Sequence, residues 1–486
     1  MRIGIIGAGI AGLASAVRMA VRGHEVEVFE ANDYPGGKLS QFDLDGYRFD
    51  AGPSLFTMPQ YVDDLFRLAG EDPEAHFQYE RLDTVCHYFW EDGTRLNAHA
   101  DPEAFGKEVE EKLGVPAERI HAALSDSAYK YELTGRVFLE KSLHRLSTWT
   151  NGKVLKAMLK IPGLDLFTSM NQVNERLLQD PKLVQLFNRF ATYNGSNPYK
   201  APGLLSIIPH FEHKIGAFFP KGGMNNITQA IYELAIRKGV TFHLGQPVDR
   251  ILLDNGRATG LQTGAEEHRF DRIISNMDVF FTYKKLLPDA RHPKLTLKQQ
   301  KSTSALIFYW GIRHRFEALG LHNIFFSDDY KREFALLEAG EVYDDPTVYV
   351  NISSKCEPGD APEGHENWFT MINVPYDSGQ DWDAIIDRAR EQVIGKVSRI
   401  LGIDLRSLIT CEEILDPRSI ESKTQSHLGA LYGTSSNNRM AAFMRHANFS
   451  NRIKGLYFCG GSVHPGGGIP LCLLSAKIVD EVMETA

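Results

Sequence analysis

The chain has 486 residues, a length typical of roughly three structural units. Hydrophobic residues make up 43% and charged residues 24%, as in folded globular proteins. The formal net charge of −9 and the absence of a long basic run argue against a nucleic-acid partner. The five cysteines form no CxxC pair, which favours a reducing compartment. Neither a metal-binding spacing nor an apolar run of about 18 residues occurs, so we expect no metal site and no transmembrane helix.

The N-terminal residues predict a dinucleotide-binding βαβ unit. Arg2 to Ile6 is a short apolar run typical of a buried parallel strand, and a helical pattern begins near Ile10. Between them, Gly7, Gly9 and Gly12 have the G-x-G-x-x-G spacing. The first glycine allows the turn, the second lets backbone approach a pyrophosphate, and the third brings the helix against the strand. The phosphates are expected at the helix N-terminus.

A second strand, Glu25 to Phe29, is predicted to end at the acidic residue Glu30, 18 residues beyond Gly12. A carboxylate there accepts hydrogen bonds from ribose hydroxyls and disfavours the 2′-phosphate of NADP. NAD and FAD share this pattern. The Gly36-Gly37-Lys38 sequence that follows resembles the G-G-[RK] motif of the amine-oxidase-like superfamily of FAD enzymes. The alternative is an ordinary Pro-Gly turn with a solvated lysine.

Longer motifs resemble the bacterial-type phytoene desaturase family of carotenoid desaturases over nearly the whole chain. They are Phe49 to Ser54, Asn197 to Tyr199, Gly216 to Met224, Gly455 to Pro470, and Leu473 to Lys477. The resemblance implies an α/β fold with a Rossmann-like FAD-binding domain, a β-sheet-floored substrate domain, and a helical subdomain with possible membrane contact. It divides the chain into 1–80, 221–285 and 410–486 for FAD, 81–135 and 286–409 for substrate, and 136–220 for the helical subdomain.

The residues of the C-terminal motif also predict a strand, a turn and a helix without reference to any family. Leu456 to Cys459 is a short strand, and Pro470 suits the first turn of an apolar helix that continues to Val479. The resemblance implies that FAD contacts the following residues: Gly7, Gly9, Ile10, Ala11, Gly12, Glu30, Gly36, Gly37, Lys38, Gly52, Pro53, Ser54, Leu55, Val248, Asn276, Gly460, Gly461, Ser462, Gly468, Ile469 and Pro470. The alternative for this motif is a surface glycine loop that caps a core helix.

Between these motifs, strands are predicted at Val240 to Leu244, Arg250 to Asp254 and Ile273 to Asn276, with a hairpin turn at Asn255-Gly256. In the second intervening segment, strand-like runs occur at Ser304 to Gly311, Thr347 to Ile352 and Trp368 to Val374, and Asp383 to Leu401 reads as a helix. Such runs suit the sheet floor of a substrate cavity, and they equally suit any domain core.

The segment from Val154 to Leu178 mixes apolar residues with lysines. This pattern fits a membrane-surface element, or an amphipathic helix broken at Pro162-Gly163. Carotenoids reside in bilayers, so the family resemblance favours peripheral membrane contact on the cytoplasmic face.

The resemblance implies that the enzyme removes two hydrogens from a saturated carbon pair of a long apolar carotenoid, with FAD as hydride acceptor. Gly429 to Gly433 and Met440 to Phe443 resemble the hydroxycarotenoid 3,4-desaturase branch. His210, Glu212, His213 and His464 are candidate bases by their proximity to the motifs, but no catalytic residue is assigned. The terminal electron acceptor, oxygen or a quinone, stays open.

Three other functions share parts of this pattern. A phytoene-type desaturase is the nearest alternative. A flavin amine oxidase would share the N-terminal glycines and Glu30, but it would usually lack the His464 to Pro470 motif. The prenyl-binding GDP-dissociation inhibitors resemble this fold without using a flavin, and the intact Gly12 and Glu30 argue against them.

Overall fold

The computed structural model describes residues 1–149, 161–437 and 444–484. The N-terminal part of the predicted membrane segment, Val154 to Lys160, and the motif at Met440 to Phe443 lie outside the described residues.

The strands, numbered in chain order, are β1 Arg2–Ile6, β2 Glu25–Phe29, β3 Gln41–Leu44, β4 Tyr47–Asp50, β5 Phe56–Thr57, β6 Tyr79–Arg81, β7 Thr84–Phe89, β8 Arg95–His99, β9 Ala217–Pro220, β10 Thr241–His243, β11 Arg250–Asp254, β12 Arg257–Thr263, β13 Glu266–Arg269, β14 Arg272–Ser275, β15 Ser304–Ile312, β16 His322–Phe325, β17 Val348–Asn351, β18 Glu366–Val374, β19 Ile409–Leu415 and β20 Leu456–Phe458.

The α-helices are α1 Ile10–Val21, α2 Gln60–Leu68, α3 Pro102–Leu113, α4 Glu118–Phe138, α5 Leu146–Trp149, α6 Met170–Leu178, α7 Pro181–Asn188, α8 Asn225–Arg237, α9 Val279–Phe281, α10 Lys294–Leu297, α11 Tyr330–Ala339, α12 Trp382–Leu401, α13 Pro417–Thr424 and α14 Ile469–Glu484. A π-helical turn spans His210–Ile215. Among the described residues, none of these helices is both long enough and apolar enough to cross a bilayer.

A five-stranded parallel sheet has the order β10-β2-β1-β14-β20. Its strands come from three separated parts of the chain. Ile3, Ile5, Val26 and Val28 are buried in one core with residues of α1, α8 and α14. Burial on both faces explains why β1 is apolar from Ile3 to Ile6, whereas β2 alternates the exposed or half-buried Glu25 and Glu27 with buried valines. Because parallel strands end at the same edge, the loops after β1, β2, β14 and β20 meet there.

A seven-stranded mixed sheet has the order β19-β15-β18-β17-β16-β7-β8. Its strands pair antiparallel except β16 with β7, which run parallel. One face packs on α12 in a core that includes Trp310, Trp368 and Val393. The other face is turned toward the helical region from α4 to the π-helical turn. Smaller sheets, β11-β12-β13, β3-β4 and β5-β9-β6, connect these parts.

The predicted elements outside the FAD fingerprint are mostly confirmed. The runs beginning at Ser304, Thr347 and Trp368 form β15, β17 and β18, and the Asn255-Gly256 turn joins β11 to β12. The C-terminal helix is longer than predicted and continues past Val479 to Glu484. The division of the chain into three domain types stays a prediction.

Candidate cofactor and substrate cavity

A cavity of about 1340 Å³ extends from the carboxyl edge of the five-stranded sheet to the inner face of the seven-stranded sheet. Every residue predicted to contact FAD lies on its wall except Gly12. The fold therefore brings together residues that are separated by more than 400 positions, such as Gly7 and Gly468.

The turn after β1 presents backbone amides to this cavity. Gly7 has a φ of +90°, and Gly9 caps α1 without any side-chain hydrogen bond to the helix. The first-turn amides of α1 thus have no protein side chain as acceptor, and they form an anion site together with the helix dipole. This cradle fits a pyrophosphate.

Positions 9 and 12 require glycine because neighbouring protein atoms leave no room for a Cβ. A Cβ at Gly12 would lie 2.1 Å from the carbonyl oxygen of Gly7, so this residue holds the helix against the strand from behind the cavity wall. A Cβ at Gly9 would lie 2.6 Å from Oδ1 of Asn276. Within the protein, the nearest obstacle to a side chain at position 9 is therefore the side chain of Asn276.

Glu30 is held in one orientation on the cavity wall, where it is only 6% exposed. Its carboxylate accepts hydrogen bonds from Ala8 N–H at 2.7 Å, from Asn32 N–H at 2.9 Å, and from Asn32 Nδ2 at 3.0 Å. A carboxylate has about four acceptor positions, so some remain for the hydroxyls of a ribose.

The Gly36-Gly37-Lys38 motif folds back onto the first turn. Gly36 N–H donates to the carbonyl oxygen of Ala8 at 2.8 Å, and both glycines have positive φ angles of +108° and +57°. The Lys38 ammonium donates to the carbonyl oxygen of Leu431 at 2.9 Å. Burial lowers the pKa of Lys38, and the nearby Asp278 carboxylate opposes that effect.

The C-terminal motif forms the opposite wall. Gly460 and Gly468 have φ angles of +107° and +105°, and α14 begins directly afterwards at Ile469. A Cβ at Gly468 would meet no protein atom within 4 Å, so the space beside it is open to a ligand. The Ser462 hydroxyl also makes a contact within the protein, because its Oγ accepts a hydrogen bond from Val279 N–H at 3.0 Å.

Arg445 is a cavity residue that the sequence did not reveal. Its guanidinium donates to the carbonyl oxygens of Tyr432 at 3.2 Å and Thr434 at 2.7 Å, and it lies beside Gly466. Burial lowers its pKa to about 10, so it stays a cation at neutral pH. It adds positive charge near the start of α14.

The substrate end of the cavity is floored by the seven-stranded sheet. Most of the floor is apolar or aromatic, and it is formed by Cys86, Ala305, Ile307, Tyr309, Ile324, Phe369 and Met371. Tyr309 OH donates to the carbonyl oxygen of Ala51 at 2.6 Å, which connects the floor to the Gly52–Leu55 wall.

A hydrogen-bond chain crosses from that wall to the floor. Tyr349 OH lies 2.8 Å from Ser54 Oγ and 2.8 Å from Nδ1 of His322. Burial lowers the pKa of His322 to about 3, so its imidazole is neutral in the folded protein.

The candidate bases separate into two pairs. Glu212 and His464 line the cavity, whereas His210 and His213 do not. His464 Nε2–H donates to the carbonyl oxygen of Lys141 at 2.9 Å, and burial lowers its pKa to about 4. Glu212 is bound by Arg189 and Tyr193, two cavity residues that the sequence analysis missed. The only sequence signal for Arg189 is a charged residue between Phe187 and Phe190.

Residues 10–479 match the family described as flavin containing amine oxidoreductase. The chain belongs to this family. Within the family it groups with carotenoid enzymes: it is 51% identical over 480 residues to a 1-hydroxycarotenoid 3,4-desaturase of Flavobacterium sp. (strain P99-3), with 99% of this chain and 98% of that one covered. A 4,4′-diapolycopene oxygenase of Methylomonas sp. is 33% identical over 491 residues, with 98% and 97% covered.

This amine oxidoreductase family member also shares its fold with a putrescine oxidase bound to putrescine, at a TM-score of 0.65 and 14% identity, with both chains covered completely. The predicted fold class and family are confirmed. The protein is an oxidoreductase whose cofactor is FAD, and the non-enzymatic prenyl-binding alternative is set aside.

Proposed function

We propose that this flavoenzyme is a carotenoid desaturase that forms the C3–C4 double bond of a 1-hydroxy carotenoid. The observation that carries the proposal is the cavity, which runs from the amide cradle at α1 across the largely apolar floor of the seven-stranded sheet. A long polyene fits such a space, whereas a small amine would leave most of the apolar wall uncovered. The 51% identity to a 1-hydroxycarotenoid 3,4-desaturase supports this choice of substrate.

The residues on the cofactor side have distinct tasks. The α1 amides would hold the pyrophosphate, Glu30 would bind the ribose, and the turns at Gly52 and Gly460, which line the same cavity, would lie beside the flavin ring. When bound, FAD supplies a two-electron acceptor for the hydrogens that leave the substrate. The start of α14 and the Arg445 guanidinium bring positive potential to this wall, where it favours a negatively charged ligand.

On the substrate side, the sheet floor aligns the polyene and excludes water. The hydrogen bonds that join Tyr349 OH with Ser54 Oγ and His322 Nδ1 fix the floor relative to the Gly52–Leu55 wall. A rigid wall of this kind holds one carbon pair in register with the cofactor.

The test is anaerobic incubation of the FAD-loaded protein, in detergent or liposomes, with two carotenoids that differ only in the terminal hydroxyl. Polyene absorbance and flavin bleaching are followed together. We expect a red shift with bleaching for the hydroxylated member. A shift with phytoene would favour the phytoene-type alternative, and bleaching by amines alone would contradict a carotenoid substrate.

We also propose that the enzyme contacts the cytoplasmic surface of a membrane through its helical region. Two aromatic side chains support this proposal: Phe167 is 74% exposed, and Tyr129, which lies 3.7 Å from the Cβ position of Gly163, is 42% exposed. Exposed aromatic residues insert readily into the interfacial region of a bilayer. Carotenoids are bilayer-resident, so such contact gives the substrate a direct route.

Vesicle co-sedimentation of the full-length protein tests this proposal. We expect Phe167→Ser to lower the vesicle-bound fraction. Leu295→Ser is the matched control, because Leu295 is 85% exposed but lies in α10, outside the helical region. Equal effects of the two substitutions would contradict a specific contact surface at Phe167.

A further inference from the structure

A buried ion pair lies on the wall of this otherwise apolar cavity. Arg189 and Glu212 are 7% and 1% exposed, and Arg189 Nη2 donates to Glu212 Oε1 at 3.0 Å. Removing two charges from water costs several kcal/mol per ion, and a pair of apolar residues would often be at least as stable. The ion pair is therefore better explained by a function in the cavity than by a contribution to stability.

The pair belongs to a polar cluster with free hydrogen-bonding capacity. Tyr193 OH donates to Glu212 Oε2 and accepts from Arg189 Nη1 at 2.8 Å. Arg189 Nε has no hydrogen-bond partner among the described residues. Two donors reach Glu212, whereas a carboxylate has about four acceptor positions. The cluster is thus able to accept a further hydroxyl proton and to donate to a further oxygen.

Local structure aims this cluster at the cavity. Glu212 lies in the π-helical turn His210–Ile215, a distortion that often marks a functional site. Arg189, Tyr193 and Glu212 all line the cavity, and Arg189 packs over the rings of Phe190 and Tyr193 with centroid distances of 4.5 and 5.2 Å. These aromatic contacts limit the positions that the guanidinium can take on the cavity wall.

The sheet register fixes the distance from the cluster to the cofactor wall. Tyr88, Ile324 and Tyr349 form one lateral row across β7, β16 and β17. Strands are about 4.8 Å apart, so the backbones of Tyr88 and Tyr349 are separated by about 10 Å across the sheet. Tyr349 bonds Ser54 on the cofactor wall, and Tyr88 OH accepts from Arg189 Nη2 at 2.7 Å.

The end group of the proposed substrate spans about half of this distance. In a 1-hydroxy carotenoid the oxygen on C1 lies about 5 Å or less from the C3–C4 bond, since each intervening bond is about 1.5 Å long. A C3–C4 bond held over Ile324, midway along this row, thus places a hydroxyl oxygen within reach of the Arg189 side.

We propose that Arg189, Tyr193 and Glu212 form the subsite that recognises the terminal hydroxyl of the carotenoid. Glu212 accepts a hydrogen bond from the hydroxyl, and Arg189 Nε–H donates to the hydroxyl oxygen, while Tyr193 holds the carboxylate and the guanidinium in place. An analogue without the hydroxyl leaves buried polar groups without their partner, and sites built this way reject such analogues strongly. This assignment rests on the proposed desaturase function and specifies its substrate class.

The experiment compares kcat/KM for the hydroxylated carotenoid and its deoxy analogue in wild type, Tyr193→Phe and Glu212→Gln. We expect Tyr193→Phe to reduce the preference for the hydroxylated substrate about tenfold and Glu212→Gln to reduce it by about tenfold or more. The loss should fall on the hydroxylated substrate and raise its KM. FAD content and thermal stability show whether each variant is folded.

Tyr88→Phe is the matched control. It removes one oxygen that bonds the same guanidinium, but Tyr88 does not line the cavity, so the substrate preference should persist. Equal losses on both substrates, or no loss on either, would overturn the subsite. If Glu212→Gln fails to fold, Tyr193→Phe decides the question alone. Wild-type protein that retains FAD and oxidises neither carotenoid would instead refute the proposed function.

Discussion

The two ends of the cavity are built by different means. The cofactor end consists mainly of backbone groups, with tight glycine turns at Gly7, Gly36, Gly460 and Gly468 and two helix N-termini. The substrate end consists of side chains supplied by strands and turns far apart in sequence, such as Arg189, Glu212 and Tyr349. Backbone sites impose a residue spacing that can be read in one sequence, whereas side-chain sites depend on which elements the fold brings together.

The electrostatics of the two ends differ as well. The cofactor end carries the Arg445 guanidinium and the basic side chain of Lys38, both bound to backbone carbonyls, together with the Glu30 carboxylate and free amides. At the substrate end the charges are compensated, because Arg189 faces Glu212 and the imidazole of His322 is neutral. This difference suits an anionic dinucleotide at one end and an uncharged lipid at the other.

The largest effect is expected from Gly12→Ala, which tests the backbone-built end. The new Cβ would lie 2.1 Å from the Gly7 carbonyl oxygen, which is backbone and cannot move away easily. We expect destabilisation of at least about 3 kcal/mol and loss of bound FAD, measured by urea unfolding and flavin absorbance. Gly395→Ala in α12 is the control: its Cβ has only Arg399 Nη1 nearby, at 3.5 Å, so it should be neutral or stabilising. A stable, FAD-loaded Gly12→Ala protein would refute the packing role.

A smaller effect is expected from Glu30→Ala. The substitution leaves the N–H groups of Ala8 and Asn32 without their carboxylate acceptor and removes the proposed ribose contact. We expect about tenfold weaker FAD binding or more, measured by titrating apoprotein with FAD. Glu25→Ala at the start of β2, the strand that precedes Glu30, is the matched control, because that side chain is 65% exposed. Unchanged flavin affinity in Glu30→Ala would remove Glu30 from the cofactor site.

A third effect, confined to acidic pH, concerns the stability of the folded protein. The pKa of His464 is about 4 in the folded protein and 6.5 in a solvated imidazole. Between these values the unfolded state binds the proton more strongly, so the free energy of unfolding falls as pH falls from 6.5 towards 4. At pH 5 this single group accounts for about 2 kcal/mol.

His464→Gln should reduce the loss of stability between pH 7.5 and pH 5, measured by urea unfolding at both values. The exposed His314 provides the control, since His314→Gln should leave the pH dependence as in wild type. An identical pH dependence in His464→Gln and wild type would show that His464 is protonated in the folded protein at pH 5.

Much of the cofactor site was predictable, because each motif specifies a local backbone shape. The Gly7-Gly9-Gly12 spacing predicts a strand, a turn and a helix, and all three are present. The contact of Asn276 with position 9 was not predictable, because the two residues meet only through strand pairing between β1 and β14. The bond from Lys38 Nζ to the Leu431 carbonyl was not predictable either, because the two residues lie nearly 400 positions apart in sequence.

The sequence by itself determined the family, the FAD fingerprint and the main strands and helices, because these follow from local spacing and hydrophobic periodicity. Only the tertiary structure decided which polar residues share a wall. Arg189, Glu212 and Tyr349 carry no common motif, and they become neighbours of one cavity because β7, β16 and β17 align in one sheet beneath the π-helical turn. These contacts depend on pairing between strands that are far apart in sequence, and a local sequence pattern does not indicate which distant strands will pair.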